Sequence, residues 1–257
     1  MKKNTFFGLL LVFVFSYGCG NTGVPYVPSD TQECLAVSFT DSALEAEIRG
    51  IISKPSGDIC RSDLFAITEI DASHLDIISL AGLEYCVNIE RLNLSANSIT
   101  DISALAGLSK ITVLDLRFNS FTDITHLSGL SNIEELYLGY NALQSLTPLS
   151  GLTKLKVINL QFCGISDISA IAGLTMTETI YLNDNSITNI SAFSGLLNIK
   201  TAYLSMNNIH DISALVTNAS SGGIGTGTAV YLGGNPLSTA QDDIDELKDT
   251  YGVSVYQ

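Results

Sequence analysis

Residues 111–132 read Ile111-Thr-Val-Leu114-Asp-Leu116-Arg-Phe118-Asn119-Ser-Phe121-Thr-Asp123-Ile124-Thr125-His-Leu127-Ser-Gly129-Leu130-Ser-Asn132. Counted from Ile111, apolar residues occupy positions 1, 4, 6, 11, 14, 17 and 20. Positions 4 and 6 alternate with outward neighbours at 3, 5 and 7, the period-two pattern of a half-buried strand. Asn119 at position 9 turns the chain off that strand, where its amide can satisfy backbone groups inside the turn. Thr125 at position 15 suits the N-cap of a short helical turn. Gly129 at position 19 suits a left-handed residue that ends it.

The same segment follows itself six times without a gap, starting at residues 89, 111, 133, 155, 177 and 199. A fixed period of this length is the signature of a solenoid. Position 9 reads Asn97, Asn119, Asn141, Asn185 and Asn207, with Cys163 as the one replacement. These residues are expected to form a ladder in which each copy bonds its neighbour, about 1 kcal/mol net per bond. Position 15 is always Ser or Thr, and Pro148 follows Thr147 at what reads as the first helical position. Position 19 is Gly in five copies: Gly107, Gly129, Gly151, Gly173 and Gly195.

The pattern LxxLxLxxNxIxDIxxLxGLxx resembles the 22-residue leucine-rich repeats of internalin-like bacterial proteins. The resemblance runs from about residue 39 to 257. Phe39 through Ile59 is similar to the helical cap that precedes such arrays, with Leu44, Ile48, Ile51 and Ile52 on one helix face. Ile67 through Tyr85 is similar to the family's irregular first repeat. Downstream, the Asn spacing widens from 22 to 28 residues between Asn207 and Asn235, across a Gly-rich stretch at 218–228 that reads as a flexible insertion. Ile244, Leu247 and Tyr251 then mark an amphipathic helix stopped by Gly252, with Val253–Tyr256 as a closing strand. Such caps keep the apolar ends of a solenoid from water.

The resemblance implies an α/β fold: a right-handed, curved leucine-rich-repeat solenoid with a parallel concave sheet and short 3-10 or helical turns on the convex side. A helical cap precedes it and an α/β cap closes it. The expected organisation is 1–18 signal peptide, 19–33 tether, 34–66 N-terminal cap, 67–238 repeats and 239–257 C-terminal cap.

The 257-residue chain combines 46% hydrophobic residues with a net charge of −14. Its one continuous apolar run, Phe6–Tyr17 behind Lys2 and Lys3, is shorter than the ~20 residues that a spanning helix needs and reads as an export signal. It ends in Ser16-Tyr17-Gly18-Cys19, which resembles the lipobox of bacterial lipoproteins, with Ser16 where that family carries Leu. Cys19 is therefore the expected lipid-attachment residue of an envelope protein. The alternative is an ordinary signal peptide and secretion. Loss of residues 1–18 leaves 10 basic and 26 acidic residues, net about −16. That balance argues against nucleic acid, and against membrane contact other than through the anchor.

Side chains at positions 3, 5, 7 and 8 face away from the core, where no packing rule fixes them. Aromatics gather there: Phe118, Tyr137, Tyr140, Phe162, Tyr181 and Tyr203. Large aromatics dominate interfaces once a partner excludes water, so this set is the expected protein-binding site. The same residues can instead stabilise the sheet as cross-strand pairs. Arg117 is expected to be solvated, or to pair with Asp115 or an acidic partner.

No enzyme chemistry is legible. The glycines at 222–227 lack the phosphate-loop spacing, and His74, His126 and His210 share no metal motif. Asp101, Asp123, Asp167 and Asp211 recur at position 13, where an acid just ahead of a helical turn needs no metal. No cofactor is expected. Cys163 reads as a buried free thiol and Cys86 as filling an apolar slot. Cys34 and Cys60 flank the cap helix, but four cysteines allow three full pairings. The expectation is a monomeric, extracytoplasmic, non-enzymatic module that binds a protein through its concave aromatic face, in adhesion for example. A spacer or scaffold role and glycan binding are the alternatives.

Overall fold

The seven apolar positions of the quoted repeat are all buried: Ile111, Leu114, Leu116, Phe121, Ile124, Leu127 and Leu130 are each at most 1% exposed. Each such side chain contributes about 1.5–3 kcal/mol relative to exposure. Stacking identical coils turns these positions into one continuous core. The computed structural model describes residues 34–257; the Phe6–Tyr17 run, Cys19 and the tether lie outside the described residues.

The chain begins with β1 (Ala36–Val37), α1 (Ser42–Ile51), β2 (Ile59–Cys60) and α2 (Arg61–Leu64). Strands β1 and β2 pair antiparallel, and a Cys34–Cys60 disulfide joins their ends. Helix α1 buries Leu44 and Ile48, and its C-cap residue Ile52 is partly buried against the same core. Ile51 is 39% exposed, so it leaves the face expected of it. The repeats then supply β3 (Glu69–Asp71), β4 (Arg91–Asn93), β5 (Val113–Asp115), β6 (Glu135–Tyr137), β7 (Val157–Asn159), β8 (Thr179–Tyr181) and β9 (Thr201–Tyr203). After α3 (Ser213–Ser220) come β10 (Ala229–Tyr231), α4 (Gln241–Asp249) and β11 (Ser254–Tyr256). Strands β3 to β11 form one nine-stranded sheet in sequence order, parallel throughout and in repeat register.

The ladder amides bond backbone in the preceding coil. Asn119 Nδ2 donates to Leu94 O (2.9 Å) and Leu116 O (3.0 Å), while Oδ1 accepts from Ile99 N (3.0 Å). Asn97, Asn185, Asn207 and Asn235 repeat this pattern. Asn141 keeps its donors to Leu116 O and Leu138 O, but its buried Oδ1 has no partner among the described residues. At Cys163 the thiol donates to Leu138 O (3.4 Å). Cys163 and Cys86 are free and buried, and burial pushes their thiols up to about 11 and about 12.

The turns differ from expectation in four ways. Ser or Thr at position 15 opens the 3-10 turn instead of capping it, because the position-14 carbonyl already accepts, as in Leu105 N to Ile102 O. The cap comes from position 13: Asp101, Asp123, Asp167 and Asp211 each accept the position-15 N–H at 2.8 Å. That bond holds all four carboxyls below their ordinary range, foremost for Asp101, Asp123 and Asp167; for Asp211 the Ser213 hydroxyl leads. Pro148 is the second residue of its turn, not the first. The position-19 glycines are not left-handed; the left-handed residue is at position 8. The Gly-rich stretch is not a loose insertion. Its start extends α3, and Asn218, fully buried, donates to Phe193 O (2.6 Å) and Leu196 O (3.0 Å) while accepting from Ile224 N (2.7 Å). A Cβ on Gly223 would overlap Asn218 Oδ1, which makes glycine necessary there.

Candidate protein-binding face

Parallel strands in register place equal repeat positions side by side at ~4.8 Å. Position 5 therefore runs across the sheet as one row: Asp71, Asn93, Asp115, Tyr137, Asn159, Tyr181, Tyr203 and Tyr231, continued by Tyr256 through β11. The last four are aromatic neighbours, and their rings stack. Tyr181–Tyr203, Tyr203–Tyr231 and Tyr231–Tyr256 each have centroids 4.6 Å apart, with interplanar angles of 4°, 7° and 10°.

A second ladder follows a different row. Phe118, Tyr140 and Phe162 occupy position 8, beyond the C-terminal ends of β5, β6 and β7, and stack at 4.1 Å and 4.8 Å. Their φ values are 55°, 61° and 52°. A left-handed backbone costs a residue with a Cβ roughly 1–2 kcal/mol, yet glycine stands at this position only as Gly234. Phe118 and Phe162 are each 48% exposed, and Met206 in the same row is 60% exposed.

The six expected site residues thus form two ladders and one outlier, not one cluster. Phe118, Tyr140 and Phe162 line the rim, Tyr181 and Tyr203 belong to the tyrosine ladder, and Tyr137 stands apart. Its hydroxyl donates to Glu135 Oε2 (2.7 Å), and the Arg117 guanidinium lies 5.2 Å over its ring. Burial, then the Glu135 bond, pushes the phenol up to about 12. Arg117 is not simply solvated: it forks onto Asp115 with its shortest contact at 2.6 Å, a bond that raises its own pKa. Tyr231 and Tyr256 complete the ladder and were missed. Tyr231 was visible at position 5, whereas Tyr256 lies outside the 22-residue count and enters only through the β10–β11 register.

On the same face, a groove of about 370 Å³ runs over β3 to β6, lined by Glu69, Asp71, Arg91, Asp115, Glu135 and Tyr137 among others. Among the described residues, no group of His, Cys, Asp and Glu is arranged to hold a metal, and no helix is long and apolar enough to cross a membrane.

Repeating strand, Asn turn and 3-10 turn around one core define a leucine-rich-repeat solenoid. A family model described as leucine-rich repeats (2 copies) matches residues 87–129 and 131–173. The solenoid is internalin-like. Internalin InlF of Listeria monocytogenes is 30% identical with a TM-score of 0.62, over 77% of this chain and 64% of its own. Internalin C2 of the same organism is 26% identical with a TM-score of 0.73, over 84% and 94%. The functional domain of InlJ, which includes a cysteine ladder, shares the fold at 18% identity and a TM-score of 0.60, over 82% and 53%. The chain thus spans less than two thirds of InlF and about half of InlJ.

Proposed function

We propose that the chain is an exported module that binds another protein through the open face of its sheet, concave by analogy with its relatives, with adhesion as one use. The observation that carries this reading is the pair of aromatic ladders on that face and its rim. The sheet-stabilising role of such pairs also holds here, at about 0.2–1 kcal/mol per pair. It does not account for aromatics at position 8, where the backbone is left-handed and about half of each Phe surface faces solvent. Glycan binding is less favoured. Sugars dock on free aromatic faces, and the interior rings of both ladders already cover each other.

We assign lipid attachment to Cys19, residues 19–33 to a tether, and residues 34–66, 67–238 and 239–257 to cap, repeats and closing cap. Radiolabelled fatty acid that is incorporated into the wild type and lost in Cys19→Ser supports the anchor; equal labelling of both excludes it.

The test of the binding face compares two baits in envelope and extracellular extracts, the wild type and Tyr181→Ser/Tyr203→Ser/Tyr231→Ser. A protein held by the first and lost by the second, with both baits folded at the assay temperature, supports the reading. Identical capture favours the rival role, a spacer or scaffold that uses its edges.

A further inference from the structure

The open face of the sheet is divided by charge. At positions 3, 5 and 7, every charged side chain lies on the coils of β3 to β6: Glu69, Asp71, Arg91, Asp115, Arg117 and Glu135. The coils of β7 to β11 present Val, Thr, Asn, Gln, Ser, Ala, Gly and Tyr at those positions and no charge at all. One half is thus a charged groove and the other a neutral tyrosine ladder.

Within the groove the cations are already used. Arg117 is bound to Asp115 and lies over Tyr137, and Arg91 lies 3.8 Å from Glu69. Asp71 and Glu135 form no ion pair among the described residues; Lys156, which feels the Glu135 charge, is paired with Glu134 at 2.7 Å. Asp71 Oδ1 accepts from the Ser73 N–H (3.2 Å) and hydroxyl (2.7 Å), and Glu135 Oε2 accepts from the Tyr137 hydroxyl (2.7 Å). Each carboxylate is fixed by one oxygen and keeps the other for a ligand. Holding a carboxylate in place beforehand lowers the ordering cost of binding. Between the pair-forming residues lies Val113, partly exposed, which supplies an apolar floor for an aliphatic stem.

Building on the binding face proposed above, we infer that the partner is a protein that inserts an arginine or lysine side chain into the β3–β6 groove while laying an uncharged surface on the tyrosine ladder. The stem runs over Val113 and the cationic head reaches the free oxygen of Glu135, while Asp71, three strands or ~14 Å away, is left for a second cation of the partner. The charge division then fixes the direction in which the partner lies along the sheet, since reversal would set its cation against tyrosines and leave Glu135 and Asp71 facing apolar surface. Complementary charge of this kind contributes to specificity and association rate more than to bulk affinity.

The probe is an acetylated tetra-arginine amide, titrated into the 15N-labelled chain at low salt, with tetra-glutamate as control. Amide shifts confined to β3–β6, no response to tetra-glutamate, and a dissociation constant raised at least five-fold by Glu135→Gln are expected. Glu246→Gln, a carboxylate on α4, should leave it unchanged. Shifts spread over the whole acidic surface, or equal effects of Glu135→Gln and Glu246→Gln, would overturn the inference, because general charge attraction would then suffice. Tyr181→Ser/Tyr203→Ser leaves this titration intact, so failure of the ladder reading and failure of the groove reading give different results.

Discussion

The Asp41 carboxylate ties the N-terminal cap to the first repeat: its Oδ2 accepts the Ile78 N–H at 2.8 Å, 37 residues along the chain. Its Oδ1 caps α1 through the N–H groups of Ala43 (2.9 Å) and Leu44 (3.2 Å). Burial raises this carboxyl, but the bonds from Ile78, Leu44, Ala43 and Ser79 outweigh it, so the net shift is below 3.8. A depressed carboxylate contributes stability above its unfolded value and loses it as pH falls through the folded one. Asp41→Ala is therefore expected to cost about 2 kcal/mol at neutral pH. The difference from the wild type should be smaller at an acid pH below 3.8, where the carboxylate takes up its proton, than at neutral pH. Urea unfolding at the two pH values measures this. A difference independent of pH would mean that packing, not the carboxylate, carries the contact.

The Asn ladder is irregular in its middle, and the irregularity predicts a stabilising change. In regular coils the position-10 N–H bonds the position-11 carbonyl of the coil before, as Ser98 to Ile77, Ser120 to Ile99 and Ser186 to Ile165. Ala142 and Gly164 make no such bond, Asn141 Oδ1 is unpartnered, and Leu143 N divides between Asn141 O and Cys163 O at 3.2 Å each. Cys163 offers no side-chain oxygen for that N–H, and Gly164 is left-handed at φ 71°. Cys163→Asn, with Gly164 kept, supplies an acceptor for the Leu143 N–H and should raise stability by about 1 kcal/mol, read from the urea midpoint. A loss instead would show that the distorted turn is set by its surroundings, with buried Phe121 the first suspect.

The cap staple gives a third expectation. Cys34–Cys60 closes a loop with a sequence separation of 26 residues, a constraint worth about 3–4 kcal/mol in the chain-entropy view. Mild reduction should expose α1 to hydrogen exchange before the repeats open. Cys86 and Cys163, buried and with thiols pushed up to about 12 and about 11, should resist alkylation at neutral pH until the chain is denatured. Native labelling of either one would mean that its coil opens locally.

Strand phase is tested by one pair of substitutions. Leu116 is fully buried, so Leu116→Ala should cost about 2–5 kcal/mol. Tyr137→Ser loses the Glu135 bond and the Arg117 contact and should cost about 1 kcal/mol. Equal losses in thermal or urea melts would place Tyr137 in the core.

These cases separate what the sequence could reveal from what it could not. Leu114 and Leu116 alternate with Asp115 over several identical copies, so the period alone sets which side faces the core. Position 8 carries His, Ala, Phe, Tyr, Asp and Met in its first seven copies and glycine only in the eighth, Gly234, so no run of glycines signals a positive φ and the left-handed turn stayed hidden. The strands are only three residues long, so Phe118 lies past the end of β5 while Tyr137 stands on β6. A list of outward positions merged them, and only the backbone turn separates rim from face. Asp101 and its repeats were visible as a row, but their capping role needed the start of the 3-10 turn. Asn218 had no period to betray it, because its bonds exist only where the repeat is broken.

The tyrosine ladder makes an energetic prediction that bears on its role. Each ring in Tyr181, Tyr203, Tyr231 and Tyr256 stacks only on its immediate neighbours at 4.6 Å. Double-mutant cycles to Ala should therefore give a coupling of about 0.2–1 kcal/mol for Tyr181 with Tyr203 and for Tyr203 with Tyr231. Tyr181 with Tyr231, two rungs apart, should show almost none. By the same count Tyr203→Ala removes two contacts and Tyr256→Ala one, so the interior change should cost more. If binding also uses the ladder, the rank order for partner affinity should differ from the rank order for stability. None of the four hydroxyls has a hydrogen-bond partner among the described residues, so Tyr→Phe at these positions should leave melts nearly unchanged while weakening capture. Parallel losses of stability and capture across the whole series would assign the ladder to the sheet alone.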